Sequence, residues 1–553
     1  MLAFLLLVPG LLGLLGGFGE DEIQEEDTSD IPAENPNPEE SILPQVVAND
    51  PSPFAAFSLE TFSEPSVFEN ENFVESENTV EEEQTFERTG QIVSDGLFGT
   101  NAVYTIHTND GELTDDFERA LETFEIEGLR FPAGEAEPKN GGLNGWDGFN
   151  ITRLTEDGEL RPELTTFLDA ADGRNVTLTI PTAQIDVEVY GERLEEWAEI
   201  VMNEYGDVVT AFEVGNEYWA LMDETEYGSK ANIAVKALQN GIVAADAEDA
   251  DILVQMASPF SESEYNSSVD DRGFRARLTD ANEAILAQLD DEAREAIGGV
   301  VEHYYWNEAA APFTDSSAEV NYINLDLAIW EETLDRDLDL HITEWNIKAS
   351  NIVNNGVKSM GVLVEMVENM VELDVVQGAV WPIVHNTAND LGGPLGAGTI
   401  ETDDEGRVVH TVRGAMFDLM SKSLPGMELI QLDLESVEND MELAAYEKDD
   451  KFVVYIGNNS EAPETIIIDL NDLLPNFNEA QGVKVGYDRA TSNGLIYSSA
   501  LQAVTETQSV SIDGENYHLN EHDTGAVLTD YNFDSSLIEI NLNPYEVMQI
   551  TAR

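Results

Sequence analysis

What most constrains this chain is a rhythm. From residue 97 onward, short apolar runs of strand length alternate with amphipathic runs of helix length. The strand runs fall at 97–101, 129–132, 176–181, 209–215, 252–257, 300–305, 340–345 and 376–381. Between them, stretches such as 115–128, 192–206, 229–245 and 359–373 carry apolar residues near i, i+3, i+4 and i+7, the stripe a helix needs to pack on a sheet. Eight βα repeats over about 285 residues match the roughly 250 of an eight-fold barrel with modest insertions. The expected class is therefore α/β, a parallel (β/α)8 TIM barrel, with a doubly wound sheet as the alternative.

Past residue 424 the helical period disappears. Runs such as KFVVYIGNN, ETIIIDL, GVKVGYDRA, GAVLTDYNF and SLIEINLNPYEVMQI take over, separated by Asn, Gly and Asp turns, and predict a C-terminal antiparallel β-sandwich. The expected domains are 1–19, an apolar export leader or, as second choice, an anchor; 20–52, an acidic Pro-rich linker too polar to order itself; 53–92, a lead-in with strands available to the sandwich; 93–423, the barrel; and 424–553, the sandwich. A secreted or cell-surface protein is the expectation. No internal repeat is evident.

Composition narrows the partners. The 553 residues are 42% hydrophobic, enough for one large core and a smaller one. With 25 Lys and Arg against 111 Asp and Glu, the formal net charge of −86 opposes nucleic acid and anionic membranes, leaving membrane association only through a retained leader. Cysteine is absent, which removes disulfides, thiolate nucleophiles and cysteine-ligated metals. No cofactor or metal ligand set is read from the sequence. Structural calcium is left open, because the acidic turns at 107–116 and 401–407 lack the full spacing of a known calcium loop.

Two carboxylates stand out. Glu344, in LHITEWNIKAS, ends an apolar strand run against a tryptophan, and a carboxylate leaving water needs a partner or a function. Glu217, in FEVGNEYW, ends another run in the same way. In a barrel of this kind both belong to the C-terminal rim, where catalytic groups gather. Two carboxylates facing each other across a cleft are what glycosidic bond cleavage requires: one protonates the leaving oxygen and the other attacks the anomeric carbon.

The Asn-Glu of strand four and the Glu of strand seven resemble those of the retaining glycoside hydrolases of clan A, a resemblance that covers the barrel, about half of the chain. It implies Glu217 as acid/base, Asn216 as the holder of the sugar hydroxyl beside the anomeric carbon, and Glu344 as nucleophile. LRFPAG is similar to a stretch of arabinofuranosidase-like members, which implies that Arg130 hydrogen-bonds the nucleophile; Ala133 stands where those members have glycine. In EHYYW, His303 and Tyr305 share one face of a strand and resemble the clan's strand-six pair, with the tyrosine hydroxyl aimed at the nucleophile. Trp381 falls where the family has an aromatic floor under the sugar. The terminal NLNPYEVMQI resembles the last strand of the sandwich that accompanies arabinofuranosidase-, xylosidase- and glucuronidase-like members. Carboxyl groups about 5 to 5.5 Å apart are expected, with the Glu217 pKa raised by Tyr218, Trp219 and Glu344. Glu135, Glu137, the loop 140–149, His385 and Asn386 are further candidates for the cleft. The expected substrate is a poly- or oligosaccharide, cleaved by double displacement. A non-catalytic carbohydrate-binding or adhesion protein on the same barrel is the alternative.

Overall fold

The computed structural model describes residues 87–134, 151–182, 190–247, 250–306, 318–348, 356–384, 390–392, 410–432, 441–449, 451–469, 479–487 and 525–553, together with the backbone of four short strands between 495 and 518. The expected leader and linker, Glu135, Glu137, the loop 140–149, His385, Asn386 and the turn 401–407 lie outside the described residues.

Eight parallel strands close into a barrel in sequence order: Gly96–Asn101, Gly128–Phe131, Asn175–Ile180, Val209–Val214, Asp251–Gln255, Gly299–Trp306, Asp339–Ile347 and Val375–Val380. Closure excludes the doubly wound sheet. Each strand is buried on both faces, which is why it reads as an unbroken apolar run rather than as an alternation. The outward faces merge with the helices in one large core. Inside, Ala211, Leu253 and Val301 form a small apolar cluster. Above it the interior turns polar: His341 contacts Gln377, and Gln377 donates to Thr177 at 2.9 Å. Toward the C-terminal ends of the strands the interior becomes charged.

The second domain is a seven-stranded antiparallel sheet, in the order Glu87–Ile92, Glu428–Gln431, Met441–Lys448, Lys451–Asn458, Val547–Ala552, Ala480–Tyr487 and Ala526–Phe533. Alternate residues serve two cores. Tyr446, Val453, Tyr455 and Val547 join the barrel core through the helices Ser359–Glu372 and Val412–Ser423. Ala445, Val454, Ile456 and Ile550 face the other way, onto the two-stranded sheet Glu464–Asp469 and Leu537–Leu542. The chain is thus a TIM barrel with a β-sandwich. Among the described residues no helix is long and apolar enough to cross a membrane.

Candidate active site

Two local irregularities aim the key carboxylates into the barrel mouth. At the end of strand four, Gly215 takes φ +84°, and a Cβ there would lie 2.9 Å from the Tyr227 ring, so only glycine fits this turn. Tyr227 is itself fixed between Val214 O, at 2.7 Å, and Gln255 N, at 2.9 Å. Beyond the turn, Glu217 sits in the left-handed region at φ 45°, ψ 47°, a conformation that costs a non-glycine residue on the order of 1 kcal/mol or more. From this position its carboxyl reaches His303 of strand six, 3.3 Å away.

Strand seven solves the same problem with a bulge. His341 pairs with Val301 and faces inward, so strict alternation would send Glu344 outward with Ile342. The register shifts between Ile342 and Glu344: Ile342 lies opposite Glu302 and Glu344 opposite His303. One extra residue, Thr343, therefore turns Glu344 into the mouth and leaves Trp345 outside, stacked on Phe417.

The side chains converge on Arg130, fully buried at the end of strand two. Its Nε and Nη2 bind both oxygens of Glu213, at 2.6 and 2.7 Å. Nη1 donates to Glu344 Oε1 at 2.8 Å and to Asn101 Oδ1 at 2.9 Å, and Nη2 also donates to Asn216 Oδ1. Burial opposes the guanidinium charge, but Glu213 and Glu344 outweigh it and hold the proton on. The other oxygen of Glu344 accepts from the Tyr305 hydroxyl at 2.8 Å. Burial, then the charge of Glu344, push that phenol well above its ordinary pKa, so it stays a donor.

His303 bridges the two carboxylates, with Nδ1 3.3 Å from Glu217 Oε1 and 3.6 Å from Glu344 Oε2. Burial works against its protonation, yet Glu344 and Glu217 raise its pKa above the usual imidazole value. One oxygen each of Glu217 and Glu344, with a ring nitrogen of His303, lie within 4.8 Å of one another. Burial acts to raise the Glu217 pKa, but the hydrogen bond and charge of His303 bring it below the ordinary value. That corrects the sequence expectation: the apolar neighbours in the chain, Tyr218 and Trp219, matter less than the neighbour in space.

Glu217, Glu344, Arg130, Asn216, His303 and Tyr305 are thus brought into one network, and Glu217 and Glu344 are only 7% and 1% exposed. Trp381 lies next to it, in an apolar cluster with Val103 and Ala133 against which Tyr305 packs. Ala133 takes φ +63°, the conformation that glycine adopts without strain. Sequence reasoning missed three members. Asn101 anchors Arg130 while donating to the Thr343 and Ala379 carbonyls; Glu213 is the guanidinium's main partner; and Gln255 approaches His303 Nε2 at 3.5 Å. The acidic turn at 107–116 forms a two-strand hairpin, Thr108–Asn109 with Glu112–Leu113, and contributes to no cluster of three metal-binding side chains among the described residues.

No protein-family model and no curated protein matches the sequence. The structure is similar to that of AbfB, a family 51 alpha-L-arabinofuranosidase from Bifidobacterium longum, with a TM-score of 0.54 and 13% identity over 85% of this chain and 98% of that one. It is similar also to BuGH86 in complex with neoagarooctaose, with a TM-score of 0.52 and 11% identity over 83% of this chain and 75% of that one. At such identities the likeness is one of fold: the chain shares the barrel-and-sandwich fold seen in these enzymes.

Proposed function

We propose that this chain is an exported retaining glycoside hydrolase that cleaves O-glycosidic bonds of a poly- or oligosaccharide by double displacement. The observation that carries the reading is the facing pair: an oxygen of Glu217 and one of Glu344 lie within 4.8 Å of each other. That spacing is in keeping with the 5 to 5.5 Å carboxyl separation of retaining enzymes and is shorter than the roughly 6.5 to 9.5 Å of inverting ones. The apolar segment 1–19 supports export.

In this reading a Glu344 oxygen attacks the anomeric carbon as the bond to the leaving oxygen breaks, and Glu217 gives that oxygen its proton. Arg130 and Tyr305, with one donor on each Glu344 oxygen, fix the nucleophile's orientation and balance its charge. Glu217 and His303 work as a coupled pair: the proton must reside on Glu217 at the moment of donation, with His303 neutral. Forming the covalent bond consumes the Glu344 charge and with it one of the two influences that raise the His303 pKa. Ionised Glu217 then takes a proton from water, which attacks the same carbon and releases Glu344. Asn216 is placed to hold the adjacent hydroxyl, and Trp381 to form a floor.

The test is reducing-sugar release from plant and marine polysaccharides and aryl glycosides, in high salt, by the wild type beside Glu344→Gln and Glu217→Gln. Activity on one substrate that each substitution lowers on the order of 10⁴-fold is the expected result. A folded protein that binds a glycan but releases no sugar would favour the adhesion alternative, and activity surviving both changes would place catalysis elsewhere.

A further inference from the structure

Where the barrel meets the sandwich, a second group of acids has been brought together. Glu365 and Glu368 are three apart on the helix Ser359–Glu372 and share a face, and Glu442 comes from the sheet strand Met441–Lys448 packed against that helix. One carboxylate oxygen from each of the three lies within 4.8 Å of the others. Glu442 is only 4% exposed, and the two helical residues are half-buried. Burial, then the charges of Glu365 and Glu372, push the Glu368 carboxyl up to about 8, and burial with Glu365 and Glu368 pushes Glu442 well above the carboxylate range. Among the described residues, no lysine or arginine is one of the groups acting on either. Asn459 gives Glu442 one long hydrogen bond, of 3.4 Å.

A separate observation points into the same place. Tyr446 lies on the Glu442 face of the strand, fully buried, within reach of the charges of Glu368, Glu442 and Glu365. Its hydroxyl has no hydrogen-bond partner. A buried polar atom left without a partner costs on the order of 1–3 kcal/mol and calls for a ligand.

We propose that Glu365, Glu368 and Glu442, with the Tyr446 hydroxyl, bind a hard divalent cation, calcium or magnesium, that clips the barrel helix to the sandwich sheet. The donors are all oxygen, from carboxylates and a phenol, which suits these ions and not a soft or imidazole-seeking metal. A charge of +2 offsets most of the three negative charges at a spacing where they otherwise repel. Because Glu442 is 70 positions beyond the end of the helix in sequence, the ion joins segments held together only by the folded interface. The site shares no residue with the Glu217–Glu344 network.

The experiment uses the full chain, stripped with chelator and held in about 1 M KCl, where a Debye length near 3 Å screens the acidic surface. Calorimetric titration with CaCl2 and, separately, MgCl2 is read beside the thermal midpoint. The wild type and a Glu217→Gln control are expected to show one saturable site and a raised midpoint. Glu442→Gln and Glu368→Gln are expected to lose both, and Tyr446→Phe to weaken binding about tenfold. If Glu442→Gln does not fold, Glu368→Gln, at a less buried position, decides. No saturable site in the wild type, or equal binding by wild type and the glutamine variants, overturns the proposal.

Discussion

The barrel mouth and the barrel–sandwich interface each gather buried glutamates, and they reach opposite electrostatic states. In the mouth, Arg130 binds Glu213 and Glu344, and His303 lies against Glu217, so side chains of the chain itself oppose the carboxylate charges. At the interface Glu365, Glu368 and Glu442 meet one another, and the forces on Glu368 and Glu442 come from burial and like charge. The tyrosines repeat the contrast: Tyr305 donates to Glu344, whereas the Tyr446 hydroxyl has no partner. A buried carboxylate by itself therefore says little about its role. What supplies the compensating charge decides whether it is kept ionised by the protein, takes up a proton or recruits an ion.

The most severe way to break this contrast is to remove the mouth's cation. Arg130→Met leaves Glu213 and Glu344 buried without their guanidinium, and the loss of one partner of such a pair costs about 3–5 kcal/mol. Urea unfolding should show a midpoint lowered accordingly, with the proposed glycosidase activity lost. Adding Glu213→Gln to Arg130→Met removes one of the orphaned charges and should restore part of the stability. If Arg130→Met unfolds at the wild-type midpoint, the mouth is not held by charge balance.

A smaller effect comes from the outer face of strand six, which behaves like the interface. Glu302 points away from His303 toward the helix Ala318–Leu334, and its Oε2 is enclosed without a partner. Burial raises its pKa to about 8, His303 opposing and Glu217 adding to the rise, and burial with Glu302 raises Asp326 well above the ordinary value. Unfolded glutamate titrates near pH 4.3. Between that value and about 8 the folded state holds the extra proton, so stability is greatest at low pH and falls as pH rises toward 8. Glu302→Gln should flatten its share of that fall in thermal midpoints measured from pH 5 to 9. An unchanged slope would mean that Glu302 is already ionised and compensated.

Much of this was legible in the sequence, for physical reasons that also set the limit. The eight strands could be counted because burial on both faces makes each a short continuous apolar run. Glu217 and Glu344 could be found because carboxylates that close such runs stand out, whereas Arg130, His303 and Tyr305 were reached through the family resemblance of the stretches that hold them. Glu213 could not, since a single glutamate within AFEV looks like ordinary alternation and its meaning lies in Arg130, 83 positions away. The bulge at Thr343 was also hidden, because periodicity read along one strand does not show the register of its neighbour. The direction of the Glu217 shift was misread for the same reason: His303, its hydrogen-bond partner, is 86 positions distant.

The finest test compares the two tyrosines. Tyr305→Phe deletes one hydrogen bond to Glu344 Oε2 but leaves Arg130 on Oε1, so Glu344, the nucleophile of the proposed reaction, keeps its counter-charge and loses only part of its orientation. Hydrogen bonds to charged groups contribute about 1.5–3 kcal/mol, but this one weakens as the Glu344 charge disappears in the transition state, which offsets part of the loss. The expected outcome is kcat/KM lowered about tenfold, at the low end of that range, with a thermal midpoint close to that of the wild type. Tyr446→Phe, made in the chelated protein, has no hydrogen bond to lose and removes an unpartnered hydroxyl, so its midpoint should equal or exceed that of the wild type. A clear loss of stability in Tyr446→Phe without added cation would show that its hydroxyl already has a partner, and the contrast between the two clusters would then rest on the arginine alone.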